Sequence, residues 1–149
     1  MVMLTEIDNS GRQRYGKWYA KSESNTHDRV FLLSYTEANR YLDVPVDNWN
    51  NLKSRAAPTA YAIAHGALTG SYRTKDGITS GWWWLRTPGC DQHDAGSVND
   101  DGSLSSVDVS LVCVIARPAL WISLESDNFL SDLYHAQIDA FSMTRGRMI

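Results

Sequence analysis

The sequence predicts an α+β fold: two helices packed on short antiparallel β-strands, joined by long loops. Three observations lead there. The chain has 149 residues, 43% hydrophobic and 21% charged, enough apolar surface for one domain with a proper core. Its two helix-forming segments come early and its alternating strands late, unlike the regular strand–helix alternation of a doubly wound sheet. Turn residues punctuate the second half at short intervals.

Residues 1–29 are polar and turn-rich, with Tyr15, Trp18 and Tyr19 expected to pack on the body. Val30-Phe31-Leu32-Leu33 is a continuous apolar run, read as a buried strand. Ser34-Tyr35-Thr36-Glu37 fits a capping box, and the helix it opens runs through Ala38, Asn39 and Tyr41 and stops before Pro45. Pro58 precedes an Ala-rich helix, Thr59 to Ala64, with Gly66 near its C-terminus. Gly70–Gly77 reads as a turn region. Trp82-Trp83-Trp84-Leu85 reads as an aromatic strand ended by Arg86-Thr87-Pro88-Gly89.

From Cys90 to Ala116 lysine and glutamate vanish. Asp101-Gly102, between Val98 and Leu104, signals a hairpin turn. Val107, Val109, Leu111 and Cys113 alternate with Asp108, Ser110 and Val112, the pattern of a half-buried strand. Ala119–Leu124, after Pro118, reads as a closing strand. Residues 1–125 form the expected domain. Residues 126–149 form an extension with Phe129, Leu130, Leu133, Ile138 and Phe141 at roughly helical spacing, an added helix or a tail.

Composition narrows the function. The net charge is -3, and Arg12, Arg14 and Lys17 are the only local basic group, so nucleic acid is not an expected partner. No apolar run approaches the roughly 20 residues needed to span a bilayer. The start, MVMLTEIDNS, lacks a cationic segment followed by an apolar one. Location is therefore left open, with a virion or cell surface reached by another route. There is no C-x-x-C, G-x-S-x-G, H-E-x-x-H, P-loop or G-x-G-x-x-G motif, and no cofactor is expected.

Four groups could carry chemistry. Asp91, His93, Asp94, Asp100 and Asp101 offer oxygens and one imidazole to a metal, but they match no EF-hand spacing, and the favoured reading is solvated loop residues with Asp100-Asp101-Gly102 simply a turn. Cys113 could pair with His65 or His93 as nucleophile and base, or with Cys90 in a disulfide. Its place in an apolar alternation favours a small half-buried side chain. The three tryptophans could stack on a ligand, but strand alternation favours structure, with Trp82 and Trp84 in the core and Trp83 on the other face. Arg86 and Arg117 fit hydrogen-bonding forks at the base of the loops.

Four segments in order, VFLLSYTEANRY (30–41), PTAYA (58–62), WWLRTPG (83–89) and RPALWI (117–122), resemble a family of gut-bacterial and phage domains. That family has the pattern FLLS-x-x-EA, TAYA, WWLRSPG and VRPALW. Thr87 replaces its serine and Ala116 its valine. The family also commonly continues upstream with a helical segment not seen here, which implies a truncated N-terminus. The resemblance covers about residues 5–125. It implies a C-type-lectin-like fold, related to the formylglycine-generating-enzyme group, and a variable protein of a diversity-generating retroelement. In such systems adenine-directed errors rewrite codons between the WWLRSPG and RPALW motifs, and altered AAY codons never give Lys, Glu, Gln, Met or Trp. Cys90–Val114 contains none of these except Gln92.

Carried over position by position, the resemblance implies diversified ligand-binding residues at Cys90, Asp91, His93, Asp94, Ser97, Asn99, Asp100, Ser105, Ser106, Val107, Asp108, Ser110, Leu111, Val112 and Cys113. Ala95, Val98, Gly102 and Leu104 would be scaffold between them. Trp82, Trp83, Trp84, Arg86, Gly89, Arg117 and Trp121 would be scaffold around them. The Glu-Pro-Asn and Trp-Asn-Asp motifs of calcium-dependent sugar binding are absent. The expected function is a non-enzymatic domain of adhesin or receptor-binding type, showing residues 90–114 to a protein or cell-surface ligand. Two alternatives stand beside it: a metal- or cysteine-dependent oxidase of the formylglycine-generating type, and a structural phage or cell-surface module assembled through residues 127–149.

Overall fold

Helix α1 (Tyr35–Leu42) starts at the predicted capping box. The Ser34 hydroxyl accepts the Glu37 N–H at 3.2 Å, and the Glu37 carboxylate accepts the Ser34 N–H at 2.7 Å. Two N–H groups that the first turn leaves open are satisfied this way. The helix ends at Asp43, in the left-handed region, and buries Tyr35 and Ala38. The computed structural model describes residues 1–9, 24–44 and 50–123. Tyr15, Trp18, Tyr19 and the apolar residues of 126–149 lie outside them.

The described strands form four small antiparallel sheets. Strand β1 (Thr5–Ile7) pairs with β2 (Thr26–Asp28). Strand β3 (Phe31–Leu32) pairs with β9 (Pro118–Ala119), so two of the motif segments meet. The expected turn region holds a hairpin of β4 (Thr69–Arg73) and β5 (Thr79–Gly81). Only its tip is a turn, with Gly77 at φ 78°. Strands β6 (Trp83–Pro88), β7 (Asp94–Val98) and β8 (Leu104–Asp108) make the central sheet.

The expected C-type-lectin-like fold with two helices packed on strands is not what the chain adopts. Among the described residues small antiparallel sheets dominate, at 37% strand, and two short helices make 12%. Helix α2 (Ala60–Ala64) has five residues, none of them buried. Pro58 and Gly66 bracket it, and AYAIA has no apolar stripe long enough to seat on a sheet. Of the two described helices only α1 packs on the core.

The tryptophans also reverse their expected sides. Trp83 is fully buried with Leu85, while Trp82 and Trp84 are half-buried. The strand runs on through Pro88, and its inward face is Trp83, Leu85 and Thr87. The Thr87 hydroxyl accepts the Tyr35 N–H at 2.7 Å and ties α1 to that face. Tyr35, Ala38, Val44, Ala56 and Val98 complete the core around Trp83 and Leu85.

Arg86 acts as the fork the sequence suggests. It donates to the carbonyls of Leu32 (2.8 Å) and Asp8 (3.1 Å) and pairs with Glu37, so one side chain joins β6, β3, α1 and the N-terminal segment. Burial pushes the Glu37 carboxyl up. The Arg86 hydrogen bond, the Ser34 N–H, the Arg86 charge and the Ser34 hydroxyl outweigh it and hold the group below its ordinary 4.5. A carboxylate depressed in the folded state stabilises fully above its ordinary value, and that stabilisation is lost as pH falls through the folded one. Urea midpoints are therefore expected to fall with acid below about pH 5, and less steeply in Glu37→Gln. Equal slopes in the two proteins would contradict this assignment.

Candidate functional site

The central sheet has two ends, and they differ. At one end Trp83 pairs with Val98, and Val98 with Leu104. The turn Asn99–Ser103 closes this end against the body. Ser80 donates to the Asp100 carbonyl at 2.5 Å, Trp82 Nε1 donates to the Asp100 carboxylate at 3.2 Å, and Asp101 accepts the Ser103 N–H and hydroxyl. At the other end Pro88 pairs with Ala95, and Asp94 with Asp108. Here loops 89–93 and 109–112 form an exposed rim.

The backbone of the rim is tightly tied. Gly89 N–H donates to the Asp94 carbonyl at 2.9 Å. A Cβ at Gly89 would lie 2.3 Å from the Asp94 Cβ and 2.5 Å from the Ser106 hydroxyl, so glycine is required by close approach. Ser106 accepts the Cys90 N–H and donates to the Asp94 carboxylate, both at 2.9 Å. The Cys90 thiol donates to the same carboxylate at 3.0 Å. Val109 N–H donates to the His93 carbonyl at 2.8 Å and joins the two loops. Asp91 and Asp108 each accept an N–H two residues on, from His93 and Ser110, both at 2.8 Å. These side-chain turns fix the loops locally.

The side chains point outward. Asp91, His93, Asp108, Val109, Ser110, Leu111 and Val112 are all exposed, Val112 at 93% and Val109 at 61%. The rim is an apolar crest flanked by carboxylates. The Ser110 N–H, then the Ser110 hydroxyl and the nearby His93, hold the Asp108 carboxyl below its ordinary range, so it stays ionised.

The residues implied as diversified thus do not share one surface. Asp91, His93, Asp108, Ser110, Leu111 and Val112 share the rim. Asp94 and Ser106 form its base, their polar atoms engaged with each other and with Cys90. Ser97 is fully buried in the sheet, and Asn99 and Asp100 lie at the opposite end. Four residue steps along β7 put the two ends roughly 13 Å apart. Ser105 and Val107 are half-buried along β8. Cys113 is half-buried on the return to Ile115, its carbonyl accepting the Leu68 N–H at 2.8 Å.

Val109 belongs to the rim and escaped the sequence reading. β8 stops at Asp108, and residues 109–112 turn outward instead of continuing the alternation. The apolar run Val107–Val114 holds the signal only in retrospect, because its Asp108 and Ser110 are turn formers.

The acidic cluster is split, with Asp91, His93 and Asp94 at the rim and Asp100 and Asp101 at the far end. Among the described residues no three His, Cys, Asp or Glu side chains are grouped to hold a metal. Cys90 and Cys113 are free thiols, Cys90 exposed and Cys113 half-buried. Among the scaffold residues, Arg117 stacks over the Trp83 ring at 4.8 Å, and Trp121 is 41% exposed rather than core.

Residues 1–124 match the model of a family described as a domain of unknown function, DUF6273. The chain belongs to this family. No curated protein and no solved structure matches it. The family match covers the sheets, the rim and the core, and ends one residue past Ser123. Among the described residues no helix is long and apolar enough to cross a membrane.

Proposed function

We propose that this chain is a non-enzymatic ligand-binding domain that offers the rim to a protein or cell-surface ligand, in the manner of a retroelement-diversified variable protein. One observation carries the reading. Exposed side chains crowd the rim while its backbone is held by glycine, backbone hydrogen bonds and Asx turns. Such a surface changes its chemistry without changing its shape, which is what recognition by variation needs. An apolar crest of Val109, Leu111 and Val112 gives a partner something to desolvate. Asp91 and Asp108 beside it favour a ligand with basic groups at its edge.

Sequencing the locus across a population tests this. The codons for His93, Ser110, Leu111 and Val112 are expected to differ at adenines from a near-copy beside a reverse-transcriptase gene, while those for Trp83, Leu85 and Val98 stay fixed. Absence of a near-copy, or variation spread evenly over the core, would overturn the reading.

A further inference from the structure

Beside the turn Asn99–Ser103 the fold gathers cations that chain order keeps apart. Arg55 and Arg73 are 18 positions distant, yet one Arg55 Nη donates to the Arg73 carbonyl at 2.6 Å. Arg55 Nε donates to the Asp101 carbonyl at 3.3 Å, and the second Nη pairs with Asn50 Oδ1. The guanidinium lies over the Tyr72 ring, 4.9 Å from its centroid. Arg73 donates to the Gly77 carbonyl at 2.9 Å, and Lys75 stands at the tip of the same β4–β5 hairpin. Neither arginine pairs with a carboxylate. The ion pairs among the described residues are Lys53–Asp43 and Arg86–Glu37. Asp100 and Asp101 belong to the turn, but their carboxylates are engaged by Trp82 Nε1 and by Ser103. Carbonyl oxygens hold a guanidinium in place and leave its full charge. The hairpin tip sets only Asp76 against these cations.

We propose that Arg55, Arg73 and Lys75 form a docking site for a protein segment that carries carboxylates among apolar side chains. The charge demands an anionic partner. Arg73 and Lys75 are exposed, and Arg73 keeps Nε and its second Nη for the two oxygens of one carboxylate. Two features favour protein over a phosphate polymer. Tyr72 and Ile78, 43% and 54% exposed, offer apolar contact that a phosphate backbone does not use. Asp76 and the Lys53–Asp43 pair interrupt the positive field. A run of evenly spaced phosphates meets them as repulsion, whereas separate carboxylates avoid them. The site touches residues 90–114 through the Asp101 backbone carbonyl, at the end of the central sheet opposite the rim. It therefore stays constant whatever the rim displays, and suits a carrier that holds the domain with the rim outward. Only this last step rests on the rim being diversified.

Nuclear magnetic resonance of the full chain tests the proposal, with an end-capped peptide of alternating glutamate and leucine as the probe. The Nε–H signals of Arg55 and Arg73 and the amides of Tyr72 and Ile78 are expected to shift and saturate. Arg73→Gln is expected to weaken binding about tenfold, the low end for losing a hydrogen bond to a charged group. Arg40→Gln removes a cation that lies over Tyr41 instead, and is expected to bind as the unaltered chain does. Amides of β6–β8 report that both variants are folded. Three results would overturn the proposal: no saturable shift at these residues, equal binding by R73Q, or larger shifts there from inorganic phosphate or from the same peptide with lysine for glutamate. None of them bears on codon variation at the rim, so failure here and failure there are distinguishable.

Discussion

Trp83→Ala is expected to cost about 3–5 kcal/mol, the range for deleting a large aromatic from a core that cannot collapse around the gap. Trp83 has no exposed surface and packs with Leu85, Val98, Val44 and Tyr35. Its ring also does polar work. Nε1 donates to the Ser54 carbonyl at 2.9 Å, and the half-buried Arg117 guanidinium lies over the ring face at 4.8 Å. Alanine leaves that cation without its aromatic partner, and Arg117 keeps only a 3.3 Å hydrogen bond to the same Ser54 carbonyl. Burial already pulls the Arg117 guanidinium below its ordinary value, so the loss is felt there too. Urea unfolding followed by circular dichroism measures the cost. Trp82→Ala is the comparison and is expected to cost less, because Trp82 is only half-buried. An equal or larger loss at Trp82 would show that the inward face of β6 has been misassigned.

Gly102→Ala is the second large effect. Gly102 has φ +88°, a conformation that side chains rarely adopt. A Cβ there would lie 2.1 Å from the Asn51 carbonyl oxygen and 2.5 Å from the Ser54 hydroxyl. The first of these is backbone and cannot swing aside. Backbone strain and overpacking together predict a loss above about 3 kcal/mol. The Ser54 hydroxyl donates to the Gly102 carbonyl at 2.7 Å, so the turn and Trp83 meet at one buried serine. The two substitutions should therefore combine non-additively, with a coupling of about 0.5–3 kcal/mol in a double-mutant cycle. Strict additivity would mean that Ser54 does not link them.

Part of this was legible in the sequence because local signals decided it. The capping box at Ser34–Glu37, the turn at Asp101-Gly102 and the strand in WWWL rest on residue chemistry that acts within a few positions. The side of each tryptophan does not. Alternation says that Trp83 faces away from Trp82 and Trp84, but which face meets α1 depends on the Tyr35–Thr87 contact across the fold. The second helix failed for the same reason. The Ala-rich segment Ala60–Ala64 has propensity but nothing to bury, so the expected two-helix packing and the lectin-like architecture did not follow.

The site was legible in outline only. Cys90–Val114 holds the rim, but chain proximity mixed it with three other environments. Ser97 lies in the core, Asn99 and Asp100 close the far end, and Asp94 with Ser106 build the base. Val109 looked inward because strand alternation was extended past Asp108, where the Asx turn to Ser110 ends it. The other misplacements came from treating a contiguous segment as a surface, when a hairpin sends its two ends in opposite directions.

The central claim is that the rim varies freely on a fixed scaffold. It is tested most directly by replacing His93, Val109, Ser110, Leu111 and Val112 together, in several polar combinations, and measuring unfolding of each full chain. All five are exposed, and Asp91, Asp108 and Gly89 keep the loops in place. Each variant is expected to unfold cooperatively and to lose less than about 2.5 kcal/mol, since five exposed substitutions shift stability by at most about 0.5 kcal/mol each. Losses as large as that of Trp83→Ala would contradict the account and make the rim part of the folding core.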